Sequence, residues 1–270
     1  MDLGLKDAVV VVNGGSKGMG RAAAEVIAAE GAKVAVLARG RPALDETVRA
    51  LRACGAADAV GLATDLRDRS AVDAAFEEVG AHWGRIHVLI NSAGPTDVGV
   101  GRTFGELHDE EWHATFDIGI VSAARCARAA LPWLRRAEWA RVVNVSAHSV
   151  RRQSPGLVAY TAAKAALTSF SKNLSQTLAP EGILVNTVSP GSFLSEGMRD
   201  YLAALPAERR IEDGDLAAAM RVIGADFGHP AQLGRVALPR EIGPVIAFLA
   251  SRTNTYMTGA DVNVDGGSDF

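Results

Sequence analysis

A tyrosine and a lysine four residues apart are the residues of this sequence best suited to acid–base chemistry. Tyr160 and Lys164 lie in a stretch whose apolar residues recur every three or four positions, a pattern that predicts a helix. Residues four apart on a helix share a face, so the lysine cation would lie beside the phenol. A nearby positive charge stabilises the phenolate, and we therefore expect Lys164 to lower the pKa of Tyr160 from its usual value of about 10. The pair predicts a proton-transfer site.

The composition excludes several functional classes. The 270 residues are 48% hydrophobic, which suits a single domain over 1–270, and the net charge of −3 argues against nucleic acid as a partner. Cys54 and Cys126 form neither a disulfide framework nor a metal-ligand cluster, so no metal is expected. No secretion signal and no apolar run of about 18 residues is found, which predicts a cytoplasmic protein that does not bind a membrane.

Seven short apolar runs alternate with longer amphipathic stretches, an order that favours a parallel sheet covered on both faces. The predicted strands are 9–12, 34–37, 59–63, 88–90, 142–145, 184–188 and 262–264. The predicted fold is α/β: a single-domain, Rossmann-like, doubly wound parallel seven-stranded sheet flanked by helices. The helix with Tyr160 and Lys164 is expected to begin after Pro155 and to end at Pro180 and Gly182.

A glycine-rich segment follows the first predicted strand and leads into a good helix-forming stretch. Glycines permit close approach of the backbone to a pyrophosphate, which then meets the amides and the positive dipole at a helix N-terminus. The position between a strand and a helix therefore predicts a dinucleotide site. Its expected cofactor-binding residues are Gly14, Ser16, Lys17, Gly18, Met19 and Gly20.

The end of the second predicted strand indicates which dinucleotide is bound. Ala38 stands where a carboxylate would bind the ribose 2′-hydroxyl of NAD, and Arg39 follows it. A guanidinium and the Lys17 ammonium can both bind a 2′-phosphate. We therefore expect NADP(H), with NAD(H) as the less favoured cofactor.

These motifs, taken in order, resemble those of the short-chain dehydrogenase/reductase family over essentially the whole chain. The resemblance is to members that act as 3-oxoacyl reductases or secondary-alcohol dehydrogenases. It adds Asp65 after the third strand, Asn91-Ser92-Ala93-Gly94 after the fourth, Ser189-Pro190-Gly191 after the sixth and the ending Val264-Asp265-Gly266-Gly267. The further cofactor contacts that it implies are Asp65, Leu66, Asn91, Ala93, Gly94, Tyr160, Lys164, Pro190, Gly191 and Ser195.

The resemblance also implies a mechanism. Tyr160 would exchange a proton with the oxygen of a ketone or secondary alcohol, while the nicotinamide exchanges hydride with the carbon. Lys164 would lower the tyrosine pKa and bind the nicotinamide ribose. The protein orients the reactants, and the cofactor supplies the redox chemistry.

One expected catalytic group is missing. Members of the family usually carry a serine 13 residues before the tyrosine, and this position is Ala147. Adjacent side chains of a strand point to opposite faces, so Ser149 returns to the face of Ala147, and we rank it above Ser146 as the replacement. His148 is a further candidate donor.

A second departure lies seven residues after Trp112, where the family often has an asparagine that helps to hold a helix distortion. This chain has Gly119. Glycine inside a helix costs about 1 kcal/mol relative to alanine, so its presence indicates either a retained bend or a close helix contact. Both alternatives remain open.

The segment 195–234 has no strand character and is predicted to be a substrate lid. Its apolar residues suit helices with one apolar face: Met198, Tyr201, Leu202, Leu205, Leu216, Met220, Ile223 and Phe227. They suggest a bulky lipophilic substrate, such as a fatty-acyl, steroid-like or polycyclic ketone, unless they pack on the domain or on another subunit.

The resemblance implies a homo-oligomer, a dimer or tetramer assembled through the helices of Gly119 and Tyr160. The favoured function is an NADP(H)-dependent ketone and secondary-alcohol oxidoreductase. The alternative is an NADP(H)-binding protein with little catalysis, because of Ala147 and Gly119. An enoyl reductase is disfavoured by the short spacing from tyrosine to lysine.

Overall fold

The computed structural model describes residues 2–95, 101–228 and 230–268. Its strands are β1 (Val9–Asn13), β2 (Lys33–Ala38), β3 (Asp58–Ala63), β4 (Val88–Asn91), β5 (Ala140–Val145), β6 (Ile183–Pro190) and β7 (Asp261–Val264). Each lies within two residues of its predicted bounds.

The strands form one parallel sheet in the order β3-β2-β1-β4-β5-β6-β7, which confirms the predicted fold class. The chain builds outward from β1 to β3 and then returns to place β4 on the other side of β1. This reversal leaves a crevice beyond the carboxyl ends of β1 and β4, the place where sheets of this kind bind ligands.

Helices cover both faces of the sheet. They are α1 (Gly18–Ala29), α2 (Arg41–Cys54), α3 (Arg69–Trp83), α4 (Asp109–Phe116), α5 (Ser122–Leu134), α6 (Val158–Leu178), α7 (Glu196–Ala203), α8 (Leu216–Phe227) and α9 (Pro239–Ala250). Val10 and Val12 of β1 pack with α1, α2 and α9, whereas Val9 and Val11 pack with α3 and α5. Alternate residues of one strand therefore serve opposite cores, which explains why the strands read as continuous apolar runs.

The segment 195–234, apart from position 229, which lies outside the described residues, forms α7, α8 and a short 3-10 turn. Its apolar side chains make a third core, in which Leu202, Leu205, Met220 and Ile223 are buried. For these four residues the packing favours the alternative that the sequence left open, in which they pack within the protein rather than line a substrate site. They stabilise the insertion itself, because two short helices need an apolar cluster of their own to stay folded.

Within the described residues, no helix is both long and apolar enough to span a bilayer. The same part of the chain holds no cluster of His, Cys, Asp or Glu that could bind a metal ion. Cys54 ends α2 and is exposed, while Cys126 is buried in α5, and neither forms a disulfide.

Candidate active site

The glycine-rich loop lies at the carboxyl end of β1 and is shaped for a close-fitting ligand. A Cβ on Gly14 would lie 2.7 Å from the Ala93 backbone nitrogen, and one on Gly20 would lie 2.6 Å from the Gly14 carbonyl oxygen. Only glycine allows these backbones to pack so closely. Ser16 is buried and Met19 packs against the first core, so both hold the loop in place.

The N-terminus of α1 is available for an anion. Lys17 is the N-cap residue, no side chain in the described part of the chain caps the helix, and its first turn holds no acidic residue. Free amides with a positive dipole suit a pyrophosphate. The loop therefore fits the phosphates of a dinucleotide, as the sequence predicts.

The adenosine end of the crevice is defined by β2 and β3. Arg39 follows β2, is exposed, and forms no ion pair with the described residues. The Arg67 guanidinium donates to the Asp65 carboxylate at 2.8 and 3.1 Å, and together with the Arg67 amide it lowers the Asp65 pKa to about 2. Asp65 is therefore ionised at neutral pH and can still accept a hydrogen bond. Leu66 is buried, and its carbonyl accepts from Arg125 at 3.3 Å.

Lys17 has a partner that sequence reasoning did not identify. Its ammonium is 2.5 Å from Glu196, the first residue of α7 in the insertion. Both side chains are more than half exposed. The ion pair joins the phosphate loop to the insertion, and a 2′-phosphate would compete with Glu196 for Lys17.

The segment after β4 passes between the glycine loop and the catalytic pair. Ala93 lies against Gly14, and a Cβ on Gly94 would lie 3.0 Å from Lys164 Nζ. The Asn91 side chain is turned into the sheet, so a cofactor contact at this residue would come from its backbone. The segments after β1 and β4 and the helix α6 therefore bring predicted site residues together.

Asn91 belongs to a buried row of amides that crosses the sheet. Asn13 donates to Asn91 at 2.6 Å, Asn91 donates to Asn144 at 2.8 Å, and Asn144 donates to Ser171 of α6 at 2.8 Å. The three asparagines are direct register partners in β1, β4 and β5. This row ties the strand ends to the catalytic helix. In the sequence, each of three apolar runs has an asparagine at or near its end. That pattern predicts a row of amides only when the register of the three strands is known.

Tyr160 and Lys164 lie in the first two turns of α6, as predicted. Lys164 is buried, and its ammonium donates to the Val145 carbonyl at 2.7 Å at the end of β5. Burial lowers the pKa of Lys164 to about 8. Tyr160 is partly buried, and desolvation raises its pKa to about 12.

The expected decrease in the Tyr160 pKa is therefore wrong for the cofactor-free protein. Burial disfavours the phenolate, and the lysine charge is itself weakened by burial and directed at Val145. At neutral pH Tyr160 is a neutral phenol and Lys164 is still protonated. This combination suits proton donation.

The polar residues around Ala147, where the family usually has a serine, differ in what their side chains contact. Ala147 is buried in extended backbone just after β5. The Ser146 hydroxyl is bonded to the Lys164 carbonyl at 3.1 Å and to Thr168 at 2.7 Å, so it is engaged with α6. Ser149 is buried and accepts from Thr161 at 3.3 Å. His148 Nδ1 donates to the Pro190 carbonyl at 3.0 Å, which ties this loop to β6.

Both explanations offered for Gly119 are confirmed. It lies in a π-helical turn, Asp117–Val121, between α4 and α5, and a Cβ there would approach the Ala163 Cβ to 2.8 Å. The distortion and the close contact occur together, one residue from Lys164.

The carboxyl end of β6 closes the crevice. A Cβ on Gly191 would lie 2.6 Å from Asp265 Cα, in the Val264-Asp265-Gly266-Gly267 ending, so this glycine is needed for close approach. Pro190 ends β6, and Ser195 caps α7 by accepting from the Met198 amide at 3.1 Å. The Ser195 hydroxyl accepts this bond and keeps its O–H as a donor.

Comparison with known proteins gives a consistent result. A family model described as Enoyl-(Acyl carrier protein) reductase matches residues 14–269. The chain is 34% identical to the short-chain reductase protein NovJ of Streptomyces niveus, covering 97% of this chain and 94% of that protein. It is 30% identical to the 3-oxoacyl-[acyl-carrier-protein] reductase FabG of Escherichia coli strain K12, with 96% of each chain covered.

A solved structure is similar over its whole length. The L-sorbose reductase of Gluconobacter frateurii, complexed with NADPH and L-sorbose, superposes with a TM-score of 0.87 at 30% identity, covering 100% of this chain and 99% of that one. The chain belongs to the short-chain dehydrogenase/reductase family, whose members are NAD(P)-dependent oxidoreductases acting on C=O and CH-OH groups.

Proposed function

We propose that this protein is an NADPH-dependent ketone reductase. The observation that carries the proposal is the placement of Tyr160 and the buried Lys164 one turn apart on α6, at the strand ends where the glycine loop opens. Arg39, together with the absence of a carboxylate at Ala38, supports NADP(H), and the G. frateurii relative is an NADPH complex.

The glycine loop and Arg39 would hold NADPH, which would supply the hydride for the carbonyl carbon. The chain's own residues do the rest. Tyr160 donates its proton to the carbonyl oxygen as negative charge develops there, and Lys164, still protonated below its pKa of about 8, stabilises the phenolate left behind. Ser149 would supply the second hydrogen bond to that oxygen. The raised Tyr160 pKa keeps the proton in place for reduction, and oxidation of an alcohol would need the phenolate instead.

We further propose a bulky apolar substrate of the fatty-acyl or 3-oxoacyl type. The similarity to the E. coli 3-oxoacyl reductase supports this substrate class. The apolar residues of the insertion give it little support, since most of them pack in the insertion's own core. The G. frateurii relative acts on a sugar, so a direct comparison of a 3-oxoacyl thioester with L-sorbose tests this class. A greater kcat/KM for L-sorbose would overturn it.

Tyr160→Phe is the test of the reaction itself. We expect kcat to fall by about 10² to 10⁴, the usual contribution of a general acid, because phenylalanine keeps the ring and loses the proton. NADPH binding, followed by quenching of protein fluorescence, should be retained. A variant that reduces a confirmed ketone at the wild-type rate would contradict the assignment.

The alternative function, NADP(H) binding with little catalysis, predicts tight NADPH binding and no turnover on a panel of ketones. An enoyl thioester belongs in the same panel, because the matching family model carries that description.

We also propose a homo-oligomer, which light scattering would distinguish from the 28.2 kDa monomer.

A further inference from the structure

A second recess lies at the opposite edge of the sheet, far from the catalytic pair. It has a volume of about 300 Å³, which falls at the lower end of the range for small-molecule sites. Its floor is formed where β1, β2, β4 and β5 begin, at Val9, Lys33, His87 and Trp139. The glycine loop, Tyr160 and the insertion lie at the carboxyl ends of the strands. The recess therefore shares no residue with the proposed reaction site.

The recess is basic in a protein whose net charge is −3. Its lining holds four basic and two acidic side chains, which leaves an excess of two positive charges. The basic ones are Lys6, Lys33, Arg85 and Arg252, and the acidic ones are Asp7 and Glu138. Many surface arginines of this chain pair with carboxylates, as Arg135 does with Glu181 at 2.6 Å. By contrast, the side chains of Lys6, Lys33 and Arg252 form no ion pair or hydrogen bond with any residue that the structure describes.

Arg85 is the fourth cation of the recess, and it forms an ion pair with Glu138, with Nη1 3.3 Å from the carboxylate oxygen. Glu138 is also 3.4 Å from His87 Nε2. The three cations without a carboxylate partner, less the single negative charge of Asp7, therefore leave the excess of two positive charges.

His87 shows that the wall of the recess is organised. Its Nδ1 accepts a hydrogen bond from the Val9 amide at 2.9 Å, so the ring proton is on Nε2, which faces Glu138. Burial lowers the pKa of His87, which keeps the ring neutral at pH 7. The ring packs against Trp139 with centroids 5.0 Å apart, and the Trp139 indole adds an apolar wall.

Backbone strain occurs at the same place. Asp7 has a φ of +60° and is the non-glycine residue with a positive φ in the described part of the chain. Its amide is held by the Gly31 carbonyl at 3.0 Å. Such a conformation is unfavourable for a residue with a side chain and persists where the surroundings impose it.

We propose that this recess binds a small organic dianion, a phosphate monoester or a dicarboxylate, through Lys6, Lys33 and Arg252. Two negative charges match the excess charge of the lining, and oxyanions are the acceptors that ammonium and guanidinium groups bind best. The volume admits a short organic chain beside Trp139 and excludes a dinucleotide. The site is independent of the proposed reductase reaction.

The test is a titration of the full-length protein with inorganic phosphate and, separately, with succinate, at constant ionic strength. Trp83 and Trp139 line the recess, so tryptophan fluorescence reports locally, and the double variant Trp83→Phe with Trp139→Phe should remove most of the signal. We expect a saturable change with at least one probe. The probe that binds identifies the headgroup, and no saturable change with either overturns the proposal.

The variants locate the binding site. Lys33→Gln with Arg252→Gln should weaken binding by about tenfold or more, because two charge-assisted hydrogen bonds are lost. The matched control, Arg49→Gln with Arg240→Gln, removes the same charge from exposed positions elsewhere and should bind as wild type does. Equal weakening in both double variants would show a general charge effect and overturn the proposal. So would loss of binding in Arg39→Gln, which would place the anion in the dinucleotide crevice.

Discussion

Burial raises the pKa of Tyr160 and lowers the pKa of Lys164. The phenol is therefore harder to ionise, and the ammonium is easier to deprotonate. At neutral pH this leaves a neutral phenol one turn from a lysine cation in the same helix. In the cofactor-free protein Tyr160 therefore holds the proton that the proposed reduction would use.

Ser149 is the residue whose role is most directly testable. Ser149→Ala should lower kcat by about 10² to 10³ if its hydroxyl stabilises the developing oxyanion. Ala147→Ser in that background should restore activity, because it returns a hydroxyl to the position usual in the family. Ser146→Ala serves as the control, since its hydroxyl is bonded to Lys164 and Thr168. Wild-type kinetics for Ser149→Ala would remove Ser149 from the mechanism.

Lys164 predicts a pH dependence of stability. An unfolded lysine titrates near 10.4, so between about pH 8 and pH 10 the unfolded chain binds more protons than the folded one. The unfolding free energy of the cofactor-free protein should therefore rise with pH in this window. Lys164→Met should lose that rise.

Urea unfolding at several pH values measures this difference. Lys172→Met, which removes an exposed lysine of the same helix, is the control and should keep the wild-type slope. Parallel profiles for wild type and Lys164→Met would show that the pKa of the buried lysine is not lowered.

The π-helical turn and α6 are packed as a pair. Gly119 brings the backbone against Ala163, and the neighbouring Lys164 reaches Val145 and Gly94. The amide row adds a second tie, from Asn13 across the strands to Ser171 in α6. The position of the catalytic helix thus depends on contacts with both its neighbours, the turn on one side and the sheet on the other.

Gly119→Ala tests that packing. The new methyl would approach the Ala163 Cβ to 2.8 Å, and such overpacking typically costs about 1 to 3 kcal/mol. We expect lower stability and a lower kcat, because α6 must shift and carries Lys164 with it. Ala163→Gly in the same chain makes room and should recover kcat, although glycine in a helix costs about 1 kcal/mol of stability. No recovery of kcat would mean that the contact does not position α6.

The whole molecule joins a rigid sheet domain to an insertion with a core of its own. Lys17 and Glu196 connect the two across the cofactor crevice. An exposed pair of this kind contributes about 0 to 1 kcal/mol, so it can be exchanged for a phosphate contact. If Lys17 binds the 2′-phosphate of the cofactor, as we propose, that contact would replace this link between the insertion and the phosphate loop.

Glu196→Gln should increase the affinity for NADPH by up to about fivefold, because Lys17 is released to the 2′-phosphate. The affinity for NADH, which lacks that phosphate, should not change. Fluorescence titration with both cofactors measures the difference. Glu208→Gln, an exposed change in the same insertion, is the control. An equal gain for NADH would show that the insertion, and not Lys17, is responsible.

Much of this molecule follows from local patterns. The seven strands, the glycine loop after β1 and the helix of Tyr160 and Lys164 depend on periodicity and spacing within short segments, which the sequence displays directly. At Gly119 the glycine inside a helical pattern indicated either a distortion or a close contact, and only the structure shows that the two occur together.

Contacts between distant residues were decided by the tertiary structure. The Tyr160 pKa depends on burial beneath several elements, and the amide row depends on the register of three strands. Lys17 meets a glutamate 179 positions away, and the basic recess collects side chains from four strand ends. Such effects arise from desolvation and from through-space charge, and neither has a periodic signal along the chain.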